Sequence, residues 1–314
     1  MDFTGVNVPG NYLPRFYQGI NCRCKALAFF LFLALNLSTD AQNSSYWQIN
    51  NELQAVRTIS DKMAAEMYFG SVFSNTPSNS RILSTNIQRY FSVWVHYYYS
   101  PRWKFSSSIA YYRNKDVPDI GQYFSPEWRL SLQGMYYIHK TGYTLYTRMR
   151  GEFRYMMNSE GIYEDKYRYR QMLKFAKPIN GKVYRKGVFY FLASEELYFK
   201  PDAKSTGITF FDRNRFEIGG GYLITDNFQL ELAYNNEFLP RDGGNEIYNV
   251  AVLTLTFSNP ITKLKKIITG NPGKAEQEDK LFFLVLFTLL LTQKTIQLIL
   301  EGRLVQLEFI GPDT

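Results

Sequence analysis

Residues 146–157 read YTRMRGEFRYMM, with Arg148, Arg150, Glu152 and Arg154 alternating with Met149, Gly151, Phe153 and Tyr155. A helix would scatter these side chains around its circumference, whereas a strand sends alternate residues to opposite faces. The stretch therefore predicts a strand with one charged wall and one apolar wall. The same period recurs along the chain. In 226–238, Phe228, Leu230, Leu232 and Tyr234 alternate with Gln229, Glu231, Asn235 and Glu237. In 122–139, Trp128, Leu130 and Leu132 oppose Glu127, Arg129, Ser131 and Gln133. Phe216, Ile218 and Tyr222 oppose Arg213, Arg215 and Glu217, and Tyr167, Tyr169 and Phe175 oppose Arg168, Arg170 and Lys174.

Alternating segments of this kind, separated by Gly, Pro, Asn, Asp or Ser clusters, run from Tyr46 to Phe257. They predict strands at 46–57, 62–74, 86–99, 102–114, 122–139, 142–156, 165–178, 187–200, 210–223, 226–238 and 246–257. The connections SPR (100–102), KTG (140–142) and TDN (225–227) are tight, whereas 75–84, 114–121, 157–164, 200–209 and 239–245 are longer. Strands that exceed the ~9–11 residues needed to cross a bilayer, joined by alternating short and long connections, suit a transmembrane barrel. The expected fold is thus all-β, an antiparallel transmembrane β-barrel of about 10–12 strands with a polar Arg/Glu interior. Since single-chain bacterial barrels normally hold an even number, the eleven segments predict ten or twelve strands, one being split or missed.

A barrel decides which wall faces where. Arg or Lys on the lipid side near the midplane would cost about 2–4 kcal/mol each, so the charged parity faces inward. The expected lumen-lining set is Glu127, Arg129, Arg148, Arg150, Glu152, Arg154, Arg168, Arg170, Glu196, Arg213, Arg215, Glu217 and Glu231. Glu127, Glu196, Glu217 and Glu231 are the acids expected to offset the arginines at cross-strand distance. Glu195 falls on the apolar parity, so either a bulge shifts the register there or the face assignment fails locally. The last strand, IYNVAVLTLTF, puts Leu253, Leu255 and Phe257 on one face and ends in Phe. It is similar to the terminal strand by which barrel-assembly machinery recognises its clients.

The ends of the chain have a different texture. Arg23 and Lys25 flank an apolar run from Ala26 to Leu35, followed by STDAQ. This is the layout of a secretory signal peptide, with cleavage expected after Ala41. Residues 1–41 are thus expected to be an N-terminal extension and signal, 42–260 the barrel, and 261–314 a tail with a hydrophobic segment at 281–300, for which read-through past the natural end is favoured over a helical appendage or a membrane anchor. The cysteines, Cys22 and Cys24, precede the cleavage point, so the mature chain is expected to be free of thiol chemistry. Composition agrees with a sheet: aromatics make up 17%, with 25 Tyr and 25 Phe, residues that favour pleated surfaces. The formal charge of +8 raises the question of nucleic acid, but Arg and Glu are interspersed and no basic tract stands out. No nucleic-acid partner is expected; the lipid bilayer is.

The ordered set SPEWRLSLQ (125–133), RMRGEFRY (148–155), YRYRQMLKF (167–175), ASEELYF (193–199) and FDRNRFEIGGGYLITDNFQLELAYNNEF (211–238) resembles a Gram-negative outer-membrane barrel family, domain of unknown function 2490. The resemblance spans most of 46–257 and implies a barrel of unassigned activity. It carries over no catalytic residue.

Candidate chemistry is sparse. The mature chain holds two histidines, His96 and His139. A phospholipase-like outer-membrane hydrolase would need a Ser–His pair oriented by a third group and aimed at the lipid interface. His96 shares parity with Ser92, and Ser125 and Ser131 lie two strands on, but no motif forms. His96 is read as luminal or interfacial, and His139 as lying at headgroup level beside a turn. Metal ligation is not expected, because no two histidines lie at ligand spacing. The loop acids Glu160, Glu164 and Asp165 are read as solvated. GGGY (219–222) lies within a strand, where glycines let the sheet bend or a bulky neighbour pack, and no cofactor is expected. The expected function is a structural barrel or a narrow channel with a charged lumen, without enzymatic activity. The rivals are a pore for small anionic solutes or lipids, an outer-membrane hydrolase and a soluble periplasmic barrel.

Overall fold

Every period-two segment becomes a strand in the computed structural model, which describes residues 44–201, 210–241 and 244–259. The strands are β1 (Ser44–Ser60), β2 (Met63–Ser74), β3 (Thr85–Tyr98), β4 (Trp103–Asn114), β5 (Ser125–His139), β6 (Thr144–Met157), β7 (Tyr163–Pro178), β8 (Phe189–Phe199), β9 (Phe211–Thr225), β10 (Phe228–Leu239) and β11 (Glu246–Ser258). They close into one barrel in chain order, each strand paired with its sequence neighbours. Among the described residues a single 3-10 turn, Pro118–Ile120, ends on Gly121 in the left-handed region. The signal peptide expected within 1–41 and the tail at 261–314 lie outside the described residues.

The even strand number expected from sequence is corrected to eleven. The physical consequence is at the seam. In an up-and-down barrel with an odd count, the first and last strands run the same way, so closure must be parallel. β1 and β11 pair in parallel from Ser44↔Glu246 to Val56↔Ser258, and all other pairs are antiparallel. No expected strand was split.

Tight connections gather at one end of the barrel: 61–62, 99–102, 140–143 and 226–227. Gly142 adopts φ 78° in the KTG turn, a conformation that favours glycine. The exception at this end is 179–188, which joins β7 to β8. The opposite end carries the longer loops.

The two faces differ as the parity requires. Phe69, Ile109, Leu130, Leu132, Met149, Tyr167 and Leu232 point outward and are each at least half exposed. The inward positions hold buried charge: Glu127, Arg129, Glu152, Arg168, Arg170 and Glu196. Two inward glycines make room for aromatic rings. Tyr90 pairs directly with Gly70, and Tyr190 with Gly221. A Cβ on Gly221 would lie 2.2 Å from the Tyr190 ring. The third glycine of GGGY therefore serves a bulky neighbour.

Glu195 does not sit on a bulge. β8 keeps unbroken register with β9 from Phe189↔Tyr222 to Tyr198↔Arg213, and Glu195 lies beside Leu173 and Phe216 on the outer wall. The face assignment holds there, and the acid is an outward one. The bulge comes later: Phe199 pairs with Phe211, leaving Asp212 as the extra residue.

Candidate functional site

β5 through β10 contribute adjacent inward rows of charge, and register decides which charges meet. Arg129 lies directly opposite Arg154, and Arg150 directly opposite Arg170. Like charges in those positions repel. Each repulsion is offset by a buried carboxylate. Glu127 accepts from Arg129 Nε at 2.7 Å and from both Nε and Nη2 of Arg154 at 2.8 Å. Glu152, whose side chain is fully buried, accepts from Arg168 Nε at 2.7 Å and Arg170 Nη1 at 2.9 Å. Arg150 Nη1 stands 3.6 Å from it. Glu196 receives Arg170 through Nε and Nη2 at 2.9 and 2.7 Å, takes a short bond from Arg148, and accepts the Tyr198 hydroxyl at 3.0 Å.

The network continues onto β9 and β10. Glu237 binds Arg213 Nη1 at 2.9 Å and Arg215 Nε at 2.8 Å. Arg168, Arg170, Arg213 and Arg215 all approach the Tyr198 ring, at 4.4 to 5.5 Å from its centroid. A ring whose face is electron-rich suits such a cluster of cations. The bulge at Asp212 turns its carboxylate toward Arg213 at 3.4 Å, Arg241 at 3.9 Å and Arg168 at 4.0 Å.

All of the arginines expected inside join this network, together with Glu127, Glu152 and Glu196. Two of the acids expected to offset arginines do otherwise. Glu217 pairs with Lys174 at 3.0 Å, and Glu231 accepts the Tyr190 hydroxyl at 2.7 Å. Glu231 lies in the tight-turn half of β10, away from the arginines of β9 near the loops, and Glu217, at the middle of β9, is taken by Lys174. Glu237 and Asp212 take the role instead. Leu253, Leu255 and Phe257 share the outward face of β11, where Phe257 stacks on Phe228 with 4.6 Å between ring centroids.

One contact reaches over two intervening strands of the inner wall. Arg150 of β6 lies over the Trp94 ring of β3, 4.7 Å from its centroid, while Gln133 holds the same guanidinium at 2.7 and 3.0 Å. Two other strands, β4 and β5, separate these residues along the wall, so the contact ties the charged half of the barrel to the half built from β1 to β4.

That second half holds an array the sequence reading missed. His96 Nδ1 lies 2.8 Å from Ser106 Oγ, and His96 Nε2 lies 2.8 Å from Glu66 Oε2. All three side chains are inward, on β2, β3 and β4. Ser92, Ser125 and Ser131 are not partners of His96; Ser125 donates to the Met157 carbonyl instead. The missing signal was register. Folding the chain back on itself about 99–102 places His96 opposite Ser106. His139, by contrast, stacks on Tyr143 at 3.9 Å and contacts the Thr141 carbonyl at the tight end.

Comparison with known proteins agrees with the resemblance seen in the sequence. The chain matches the family described as "Protein of unknown function (DUF2490)" over residues 34–248, more than half its length, and belongs to that family. No curated protein matches it. Similar solved structures include "LpxR from Salmonella typhimurium", at 7% identity and TM-score 0.42, covering 65% of this chain and 86% of that one. The NanC porin matches at 13% identity and TM-score 0.40, over 68% of this chain and 97% of that one. A "Bacterial polysaccharide outer membrane secretin" matches at 14% identity and TM-score 0.39, over 62% and 68%.

Proposed function

We propose that this chain is an outer-membrane barrel whose lumen is closed at mid-height by its own Arg/Glu network. Its polarity supports the location. An apolar outer wall around a charged interior inverts what water favours, and an exposed apolar band of that extent fits acyl chains. The strands, of 11 to 17 residues, are long enough to cross a tilted bilayer path. The terminal face of Leu253, Leu255 and Phe257 fits recognition by barrel-assembly machinery.

The observation that carries the closed-lumen reading is the Arg150–Trp94 contact. A barrel of this strand number has an interior that side chains can largely fill. Here a guanidinium on β6 reaches an indole on β3, three strands round the inner wall, filling that sector of the lumen, and a carboxylate belt anchors its neighbours. The reading is tested by refolding the protein in detergent, confirming a heat-modifiable band on an SDS gel, and recording it in planar bilayers. A folded barrel with no resolved single-channel steps is the expected result. Steady anion-selective conductance would replace this reading with the anion pore.

A further inference from the structure

We propose that Ser106, His96 and Glu66 form an ester-hydrolysing site inside the tight-turn mouth, with Ser106 as nucleophile, His96 as its base and Glu66 as the positioning residue. The substrate class is a carboxylic ester that carries an anionic group.

The hydrogen-bond roles follow from the donor inventory. A glutamate carboxylate only accepts, so the His96 nitrogen facing it, Nε2, carries the proton. A neutral imidazole then presents Nδ1 as an acceptor, and Ser106 Oγ–H donates to it. That is the tautomer a general base requires. Tyr68, two residues along β2, neighbours the same Glu66 carboxylate. The His96 ring is held in plane by Trp94, 6.2 Å away with planes 11° apart.

His96 and Ser106 are buried, but the array lies close to the tight-turn rim. Glu66 is three residues from the start of β2, His96 two from the end of β3 and Ser106 three from the start of β4. At ~3.4 Å per residue, the nucleophile sits on the order of 10 Å from the rim. The same depth carries positive charge. Lys104 occupies the inward position before Ser106, and the row through Ser106 continues across Gln133 to Arg150. Arg148 stands on the Lys104 row, and its buried Nε has no hydrogen-bond partner among the described residues. These cations favour an anionic substrate and the oxyanion that forms on attack.

The reaction balances with water as the sole co-reactant. Ser106 Oγ bonds the acyl carbon as its proton moves to His96 Nδ1. The ester C–O bond breaks, and the departing alcohol oxygen takes that proton. Water then attacks the acyl-serine, giving a proton to His96, which returns it to Ser106 Oγ as the carboxylic acid leaves. None of these steps depends on whether the lumen is closed above the site.

The test uses the full chain refolded in detergent, with its heat-modifiable band as the fold control. A fluorophosphonate label is expected on Ser106 by peptide mass spectrometry, together with hydrolysis of p-nitrophenyl butyrate. Vesicles of phosphatidylglycerol separate a lipid ester from a soluble one. Ser106→Ala should abolish the label and lower hydrolysis at least ~100-fold. Glu66→Gln should lower the rate and shift its pH profile, which a merely structural carboxylate would not do. Should Ser106→Ala fail to fold, Ser106→Cys in a folded barrel should alkylate with iodoacetamide faster than the same variant carrying His96→Asn. A folded wild-type barrel that takes no label at Ser106, or a folded Ser106→Ala that hydrolyses as well as the wild type, overturns the proposal.

Discussion

The Glu127 carboxylate receives the Arg154 guanidinium side-on, with Nε on one oxygen and Nη2 on the other, both at 2.8 Å. Arg129 binds the same carboxylate from its own strand, directly opposite Arg154 in the β5–β6 register. One buried anion thus separates two facing cations. Glu127→Gln keeps the shape and removes the charge. Losing one partner of such a buried set costs about 3–5 kcal/mol, and the expected result is a matching fall in unfolding free energy in urea. Adding Arg129→Gln should recover part of that loss, because it relieves the exposed repulsion. An unchanged midpoint for Glu127→Gln would mean that water, rather than Glu127, neutralises the pair.

Arg150 differs from its neighbours in what it holds. Its closest carboxylate is 3.6 Å away, and its firm contacts are Gln133 and the Trp94 ring. Arg150→Ala therefore removes the inner-wall contact with Trp94 while leaving the Glu127, Glu152 and Glu196 pairs in place. Single-channel steps absent from the wild type are expected to appear, with little change in the heat-modifiability temperature. A silent but folded variant would show that closure rests on other side chains.

Much of this arrangement was legible in the sequence because a strand's period is two. Inward arginines and outward aromatics follow from parity alone; the outward Glu195 kept its parity too, where a bulge or a local failure of the face assignment was expected. What parity cannot supply is register and closure. Pairing of His96 with Ser106, or of Glu127 with Arg154, depends on how each hairpin folds back, and a one-residue slip would move every side chain to the other wall. Asp212 was unreadable for a related reason: it sits on the outward parity of β9, and only a bulge turns it inward. The odd strand count was present in the eleven segments. The usual even number of bacterial barrels argued against it, and the parallel β1–β11 seam resolves the conflict.

Gly221 and Gly151 make a paired test of what a strand glycine does. A methyl group on Gly221 would stand 2.2 Å from the Tyr190 ring, whereas one on Gly151 meets nothing within 4 Å. Gly221→Ala forces Tyr190 aside and withdraws its hydroxyl from Glu231, an overpacking expected to cost about 1–3 kcal/mol. Gly151 lies on the outer wall between Leu132 and Tyr169, at an apolar notch of ≈ 300 Å³. Gly151→Ala should stabilise by about 0.5–1 kcal/mol, through reduced backbone freedom in the unfolded chain. Equal effects at both positions in urea unfolding would dismiss the steric account of Gly221.

Glu195 is the outer wall's exception. Leu173 and Phe216 flank it across the sheet, and its Oε1 is buried with no hydrogen-bond partner among the described residues. Asn214 on the neighbouring strand lies close to the carboxyl group. In a bilayer an outward acid at this height is unfavourable, though less so than a lysine or arginine. Glu195→Leu is expected to stabilise the barrel by up to about 2 kcal/mol, read as a higher urea midpoint in detergent or lipid. The same substitution in Asn214→Leu should add to the gain, since removing both polar groups leaves neither unsatisfied. Loss of stability in Glu195→Leu would show that the carboxylate meets water or a polar partner on that wall, and would remove this sector from the lipid-facing surface.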